Sequence, residues 1–276
     1  YQEYSPLALA NNGESVFYTN ALGVVTNRDA WVYGFSNMRV RDNVSKLIKN
    51  YNNELKQTMS MDSKSIHARI ATLKKQADAG AYINWTRKLE RSLRNHSRLV
   101  YKPDKIRIGL YRPFTKKWLY YDNQLNEETC LYYTHFGHEN QVIFTTGRAS
   151  SRPFAALATD VIPDMQALMN GQGFMRYDNE VQTESSLLPS NRDNISQTFA
   201  DKIGLSTDDA FYYVYGVLNS PEYQERYAND LKKDLARIPV LKGIREYVKI
   251  GKQLMDLHIN YEKVPVYPDV DIVYSS

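Results

Sequence analysis

The spacing of apolar residues changes period along this chain, and that change limits most strongly what it can fold into. Val40, Val44, Leu47, Ile48, Tyr51 and Leu55 fall at helical spacing, with Ser36 or Asn37 placed to cap the first turn. Residues 62–79 carry Ile66, Ile70 and Leu73 on one face of a second helix, and Trp85, Leu89 and Leu93 mark a third. From 101 to 146 the pattern shortens into strand-like pieces, "KWLYYD", "CLYYTHF" and "QVIFTT". Helical spacing returns over 195–203, 207–218, 221–237 and 242–258. In the third of these, Ser220 is the N-cap, Pro221 suits the first position, Lys232, Lys233 and Arg237 oppose the dipole near the end, and Pro239 stops the helix. Upstream, "ESVFYTNALGVVTNRDAWVYGFS" reads as short strands joined by turns. Residues 147–177, broken by Pro153, Pro163, Gly171 and Gly173, read as irregular, and 178–192 as a polar loop. These periods together give an α+β chain with a basic helical N-terminal part, a small central sheet and C-terminal helices.

Charge follows the same division. Residues 36–117 hold 20 Lys and Arg against 6 Asp and Glu, a net of +14 inside a chain whose total is only +4. A segment this basic beside an acidic remainder reads first as a surface for a polyanion, and second as a solvated helical face rich in Lys and Arg. The 22 tyrosines are many for 276 residues. Tyr joins a flat apolar face to a polar tip, which suits wet interfaces with nucleic acid as well as half-buried sheet positions. One cysteine, Cys130, excludes an internal disulfide and a thiolate metal cluster. No apolar run approaches the roughly 18 residues of a membrane span. The chain opens on Tyr1 and reads as a piece of something longer.

Motifs for chemistry are missing. There is no GxxxxGK[ST] phosphate loop, no GxGxxG fingerprint and no GxSxG elbow. The Asp/Asn-Pro-Pro-Tyr/Phe tetrapeptide of adenine-amino methyltransferases is absent too. Cys130, His135 and His138 form a C-x4-H-x2-H cluster, but a fourth ligand is lacking and Cys130 sits in an aromatic strand-like run, which argues against zinc. Asp164 and Glu180 echo a metal-dependent nuclease core faintly; Gln182 stands where that core needs a lysine. Asp160 and Asp164 read as caps of the turns around Pro163.

A binding surface remains. "RIGLYRPFTKKWLYYD", residues 107–122, interleaves cations with aromatics. Arg112, Lys116 and Lys117 are candidates to hold phosphates while Tyr111, Trp118 and Tyr120 pack or stack. "TTGRASSRPF", residues 145–154, follows a strand and puts Arg148 and Arg152 on a loop of small residues. Such a loop can approach DNA closely, and Arg is the commonest reader of guanine. The alternative is a surface turn with two solvated arginines.

"YVYGVLNSPEYQERYANDLKKDLARIPV", residues 213–240, resembles the C-terminal signature of large bacterial methyltransferase–restriction polypeptides. "GVVTNRDAWVYGFS", "YRPFTKKWLYYD" and "SSRPFAALATDVIPD" are similar, in the same order, to segments that follow the methyltransferase domain of type ISP restriction enzymes. In that family one chain carries a nuclease, a helicase-like ATPase, an N6-adenine methyltransferase and a C-terminal target recognition domain. The resemblance spans about residues 20–265 and implies that this piece is the recognition domain alone. It implies a strand-rich lead-in over 1–35, a recognition domain over 36–265 with a basic helical insertion at 36–98, and an extended tail over 266–276. The implied partners are double-stranded DNA and the methyltransferase domain of the same parent chain, with no membrane and a cytoplasmic location. No cofactor is expected in this fragment; S-adenosylmethionine, ATP and Mg are implied for the parent's other parts. The rival readings are a nuclease fragment using Asp164 and Glu180, an RNA-binding module, and a protein-interaction module.

Overall fold

The computed structural model describes residues 4–8, 15–75, 83–130, 140–178 and 192–265. The first elements are β1 (Tyr4–Pro6), β2 (Ala21–Leu22), a helical turn α1 (Asp29–Val32) and β3 (Tyr33–Gly34). Helices α2 (Asn37–Thr58), α3 (Ser63–Lys75) and α4 (Arg87–Arg94) follow. Then come β4 (Ile106–Arg112), β5 (Thr115–Tyr120), β6 (Val142–Thr145), β7 (Ala156–Thr159), β8 (Ile162–Pro163), β9 (Gln172–Met175), β10 (Tyr177–Asp178) and β11 (Arg192–Asp193). The chain continues through α5 (Gln197–Ile203), α6 (Thr207–Leu218), α7 (Pro221–Arg226), α8 (Ala228–Leu231), β12 (Arg237–Pro239) and α9 (Ile244–Ile259). The fold is α+β, as the mixed periods imply.

Helix α2 begins as its sequence dictates: the Ser36 hydroxyl accepts from the Arg39 N–H at 3.2 Å, satisfying an orphan donor of the first turn. Asp62 does the same for α3 through Ser65 N at 2.7 Å. The apolar stripes of α2, α3 and α4 are buried, from Val40 to Leu93. They form a first core with the sheet β3-β5-β4-β8, in which β4 and β8 are parallel and the other pairs antiparallel.

The second sheet, β2-β9-β6-β7, is a wall between two cores. On β6, Val142 and Phe144 face the first core, whereas Ile143 joins a second core with α5, α6 and α9. On β9, Met175 and Phe174 divide the same way, as do Leu157 and Ala158 on β7. Strands covered on both faces carry no polar alternation, so β7 and β9 hide inside a stretch that reads as irregular. That is one correction to the sequence reading. In the lead-in, Asp29–Val32 is a helical turn rather than a strand, while β1, β2 and β3 pair with β12, β9 and β5.

The expected helix over 221–237 is a further correction. Ser220 caps it, accepting from Tyr223 N at 3.4 Å, but it breaks at Tyr227 into α7 and α8, and residues 237–239 form a strand. Tertiary hydrogen bonds outweigh the local helical preference. Tyr223 OH donates to the Arg237 carbonyl at 2.8 Å, Tyr213 OH to that of Pro239 at 2.7 Å, and β12 pairs antiparallel with β1. Lys232, Lys233 and Arg237 therefore lie beyond the helices they were expected to end. The packing of α6 on α9 is equally close: a Cβ on Gly251 would lie 2.0 Å from the Tyr212 carbonyl oxygen, and one on Gly216 2.4 Å from that of Tyr247. Most of "CLYYTHF", the polar loop between 179 and 191, and the tail from 266 lie outside the described residues.

Candidate nucleic-acid interface

Strand alternation decides what the β4–β5 hairpin can offer. Neighbours on a strand face opposite sides, so Lys116 and Lys117 cannot share a role by proximity alone. Lys117 places its ammonium 3.7 Å from the centroid of the Tyr111 ring and 4.6 Å from that of Phe35. Partial burial, and then the neighbouring Arg112, lower its pKa below the ordinary lysine value. Lys116 points the other way. Only 17% of its side chain is exposed, and its ammonium lies 3.3 Å from Asp160, 3.3 Å from the Ile259 carbonyl and 3.9 Å from Glu262. Its backbone N–H donates to the Tyr261 hydroxyl at 3.2 Å. Lys116 thus ties β5 to the C-terminal end of α9 instead of facing outward.

The aromatics of β5 are structural in the same way. Trp118 is half-buried against the first core. Tyr120 is 1% exposed, accepts from the Lys102 N–H at 3.0 Å and stacks on Tyr101 with ring centroids 5.8 Å apart. Its ring has no free face for a base; the interleaved sequence pattern cannot reveal that.

Arg112 is a half-exposed cation held by carboxylates. It lies 3.2 Å from Asp164 and 3.6 Å from Asp29, with its guanidinium 3.9 Å from the Tyr111 centroid. Two cations therefore bracket one tyrosine ring. Asp164 is buried; besides Arg112 it accepts from Tyr33 OH at 3.1 Å and from Gln166 N at 2.8 Å. It does cap its turn, as expected, but it also anchors Arg112. Burial pushes its carboxyl up to about 6, against the pull of these partners. The same burial, reinforced by Asp164, raises Tyr33 well above the usual phenol value. Beside this group opens a cleft of about 610 Å³ lined by Asn27, Asp29, Trp31, Asn84, Asp164 and Gln166. Arg28, on the cleft's wall, is buried; its Nη2 donates to Thr86 at 2.6 Å, and desolvation lowers its pKa to about 10.

Arg148 and Arg152 sit on the β6–β7 turn, in the other sheet. The turn closes tightly: Thr146 N donates to the Ala155 carbonyl at 3.0 Å, and Gly147 packs so near Asn170 that a Cβ would meet its carbonyl oxygen at 1.8 Å. Ala149 takes a left-handed backbone with φ 55°, which a small residue tolerates best. Arg148 is exposed and makes a 3.0 Å ion pair with exposed Asp234. Arg152 is exposed, and among the described residues only its backbone is engaged, with Ser150. The seven candidates thus separate into Lys117 and Arg112 around Tyr111, Arg148 and Arg152 on a turn, and three residues that build the frame.

The basic helices carry their charge outward. Arg39, Lys46, Lys49, Lys56 and Lys64 are exposed and have no ion pair among the described residues. Arg69 with Glu54 at 2.6 Å and Lys74 with Glu90 at 2.5 Å are neutralised locally. Among the described residues no group of His, Cys, Asp and Glu is arranged to hold a metal ion. Cys130 donates to the Gly23 carbonyl at 3.7 Å, and burial raises its thiol to about 11. His135, His138 and Glu180 lie outside the described residues. Among those residues, no helix is long and apolar enough to cross a membrane. The sequence reading missed Phe35, Asp29 and the Asp164–Arg112 link. The link joins positions 52 apart in the chain, which no local pattern reveals.

A family model described as the Type ISP C-terminal specificity domain matches residues 15–275. No curated protein matches the chain. Among solved structures, it is similar to a nuclease-deletion mutant of the Type ISP restriction-modification enzyme LlaGI in complex with a DNA substrate mimic. That match has 37% identity and a TM-score of 0.82, over 97% of this chain and 24% of that one. A DrdV–DNA complex matches at 30% identity and a TM-score of 0.79, over 92% of this chain and 24% of that one. The ATP-dependent Type ISP restriction-modification enzyme LlaBIII bound to DNA matches at 28% identity and a TM-score of 0.85, over 98% of this chain and 18% of that one. This chain therefore spans a quarter or less of the length of these proteins.

Proposed function

This chain belongs to the family of Type ISP C-terminal specificity domains, and from that membership we propose that it recognises a sequence in duplex DNA. In this reading it positions an adenine for a methyltransferase carried elsewhere in the same longer chain. The observation that carries the reading is the 37% identity, over 97% of this chain, to an enzyme solved with a DNA substrate mimic. The outward-facing cations of α2 and α3 support it, since such charges release condensed counterions from DNA. Lys117 supplies a phosphate contact. Arg148 and Arg152 supply base contacts, because a guanidinium fork matches two acceptors on guanine and their turn of small residues permits close approach. Arg112, fixed by Asp29 and Asp164, sets the position of Tyr111 and Lys117. Methyl transfer, ATP hydrolysis and cleavage, with S-adenosylmethionine, ATP and Mg, are assigned to other parts of the longer chain.

The test compares a duplex selected from a random pool with a scrambled duplex over a salt series, using fluorescence anisotropy. Steep salt dependence on both, and tighter binding of the selected duplex, are expected. Arg148→Ala or Arg152→Ala should lower the discrimination at one base position by about 1–3 kcal/mol. A flat salt response, or equal affinity for the two duplexes, overturns the reading.

A further inference from the structure

Phe35 is the most exposed large apolar side chain among the described residues, at 77%. It does not hang from a loose loop. Gly34, before it, pairs with Trp118 across the sheet, and Ser36, after it, caps the 22-residue helix α2. The Ser36 carbonyl also accepts from Val40 N at 3.2 Å. The ring is thus carried outward on a fixed junction between a strand and a long helix. Met38, 63% exposed, lies one turn further on. The surroundings are cationic: the Lys117 ammonium is 4.6 Å from the Phe35 ring, and Arg39 and Arg41 are exposed on the same first turns. Lys117 in turn is fixed on Tyr111, whose ring Arg112 also covers.

An exposed aromatic ring rimmed by ammonium and guanidinium groups fits one class of partner better than others. A neutral apolar partner would leave the cations desolvated and unpaired. An acidic protein surface would pair the cations and could seat the ring in a pocket, but relatives of this chain are solved bound to DNA, which favours nucleic acid as the partner. Nucleic acid supplies both features, phosphates for the cations and base faces for the ring. Resting on the DNA-recognition reading above, we propose that Phe35 is an apolar wedge. It enters the base stack of the bound duplex and opens one step, while Lys117 holds the adjoining phosphate.

The test uses the selected duplex with 2-aminopurine moved through it one position at a time, together with Phe35→Ala, Phe35→Leu, Phe35→Gln and Phe35→Trp. Wild type should raise 2-aminopurine emission at one step, and Phe35→Trp should keep that signal. Phe35→Ala should lose it and bind about 5- to 150-fold more weakly, the range set by loss of one base–aromatic stack. The salt slope should not change, because no charge is removed. Melting of Phe35→Ala should match wild type, since the ring is solvated. If it does not, Phe35→Leu, whose apolar side chain can itself open a step, should keep the signal with Phe35→Trp, whereas the polar Phe35→Gln of similar bulk should lose it. Wild-type binding with an unchanged affinity and an unchanged signal in Phe35→Ala overturns the wedge and leaves the DNA reading standing. Unchanged DNA affinity combined with weaker association with the remainder of a full-length enzyme assigns Phe35 to a protein interface, which also overturns it. No binding of duplex by wild type overturns the wedge and the reading together.

Discussion

Exchanging two adjacent lysines for alanine should give opposite phenotypes. Lys117 faces outward over Tyr111 and Phe35, whereas Lys116 is turned inward onto Asp160, Glu262 and the Ile259 carbonyl. Removing one phosphate contact lowers the slope of log affinity against log salt by about 0.9. Between about 50 and 200 mM salt, wild type should therefore lose about 3- to 4-fold more affinity than Lys117→Ala. The loss should be the same for selected and scrambled duplexes, because a point charge on phosphate carries no sequence information. Melting should stay near wild type. Lys116→Ala removes charge-assisted bonds that are largely shielded from water, and leaves two exposed carboxylates that water can serve. The cost is about 1–2 kcal/mol, a drop of a few degrees at about 2–4 °C per kcal/mol. Its salt slope should equal that of wild type. Anisotropy titrations at four salt concentrations and thermal melts of each variant give both quantities. If both lysines change the slope, or both change only the melting temperature, the assignment by strand face is wrong.

Gly251→Ala forces a methyl group against the Tyr212 carbonyl oxygen, where a Cβ would sit 2.0 Å away. Overpacking of about 1–3 kcal/mol should exceed the helix-propensity gain of about 1 kcal/mol, so melting falls; an unchanged or higher melting temperature refutes the close crossing of α6 and α9. Asp164 has its carboxyl raised from 3.8 to about 6 by burial. Its neutral form is therefore the better folded form, and this contribution is complete below pH 3.8 and lost as pH rises through about 6. At about 1.4 kcal/mol per unit, Asp164→Asn should gain on wild type by about 3 kcal/mol between pH 3.5 and pH 7, on top of a pH-independent cost for the acceptor it no longer offers to Tyr33, Arg112 and Gln166. Denaturant titrations over that range measure the difference. A constant difference contradicts the burial argument, and a difference that moves towards wild type as pH rises favours the Arg112 ion pair as the stronger influence.

The parts of the fold legible in the sequence are those where local chemistry and tertiary burial agree. The stripes from Val40 to Leu55 and from Ile66 to Leu73 are buried as their spacing implies, and Ser36 and Ser220 cap their helices. Legibility fails where burial is two-sided. Ala156–Thr159 and Gln172–Met175 are covered on both faces, so their strands show no alternation, and Pro153, Pro163 and Gly171 nearby suggest breaks. It fails again where a distant partner decides, as when β1 draws residues 237–239 out of a helix whose last turn Lys232, Lys233 and Arg237 would suit.

The site follows the same division. Its candidate residue types come from a local pattern, cations interleaved with aromatics, which is what a polyanion surface would carry. Their orientations do not, because both faces of β5 are covered toward its end, where Leu119 and Tyr120 are buried, and only tertiary neighbours decide which cation near the hairpin end stays accessible. Tyr120 and Lys116 turn inward, Lys117 turns outward, and Phe35 projects from a junction that the sequence marks only as the residue before a cap.

Selection of this chain against a random pool of duplexes, followed by sequencing of the retained DNA, tests sequence recognition most directly. The expected result is enrichment of one defined motif containing adenine, bound more tightly than its scrambled counterpart and released by moderate salt. Retention of duplexes without any shared motif, or no retention at low salt, contradicts it.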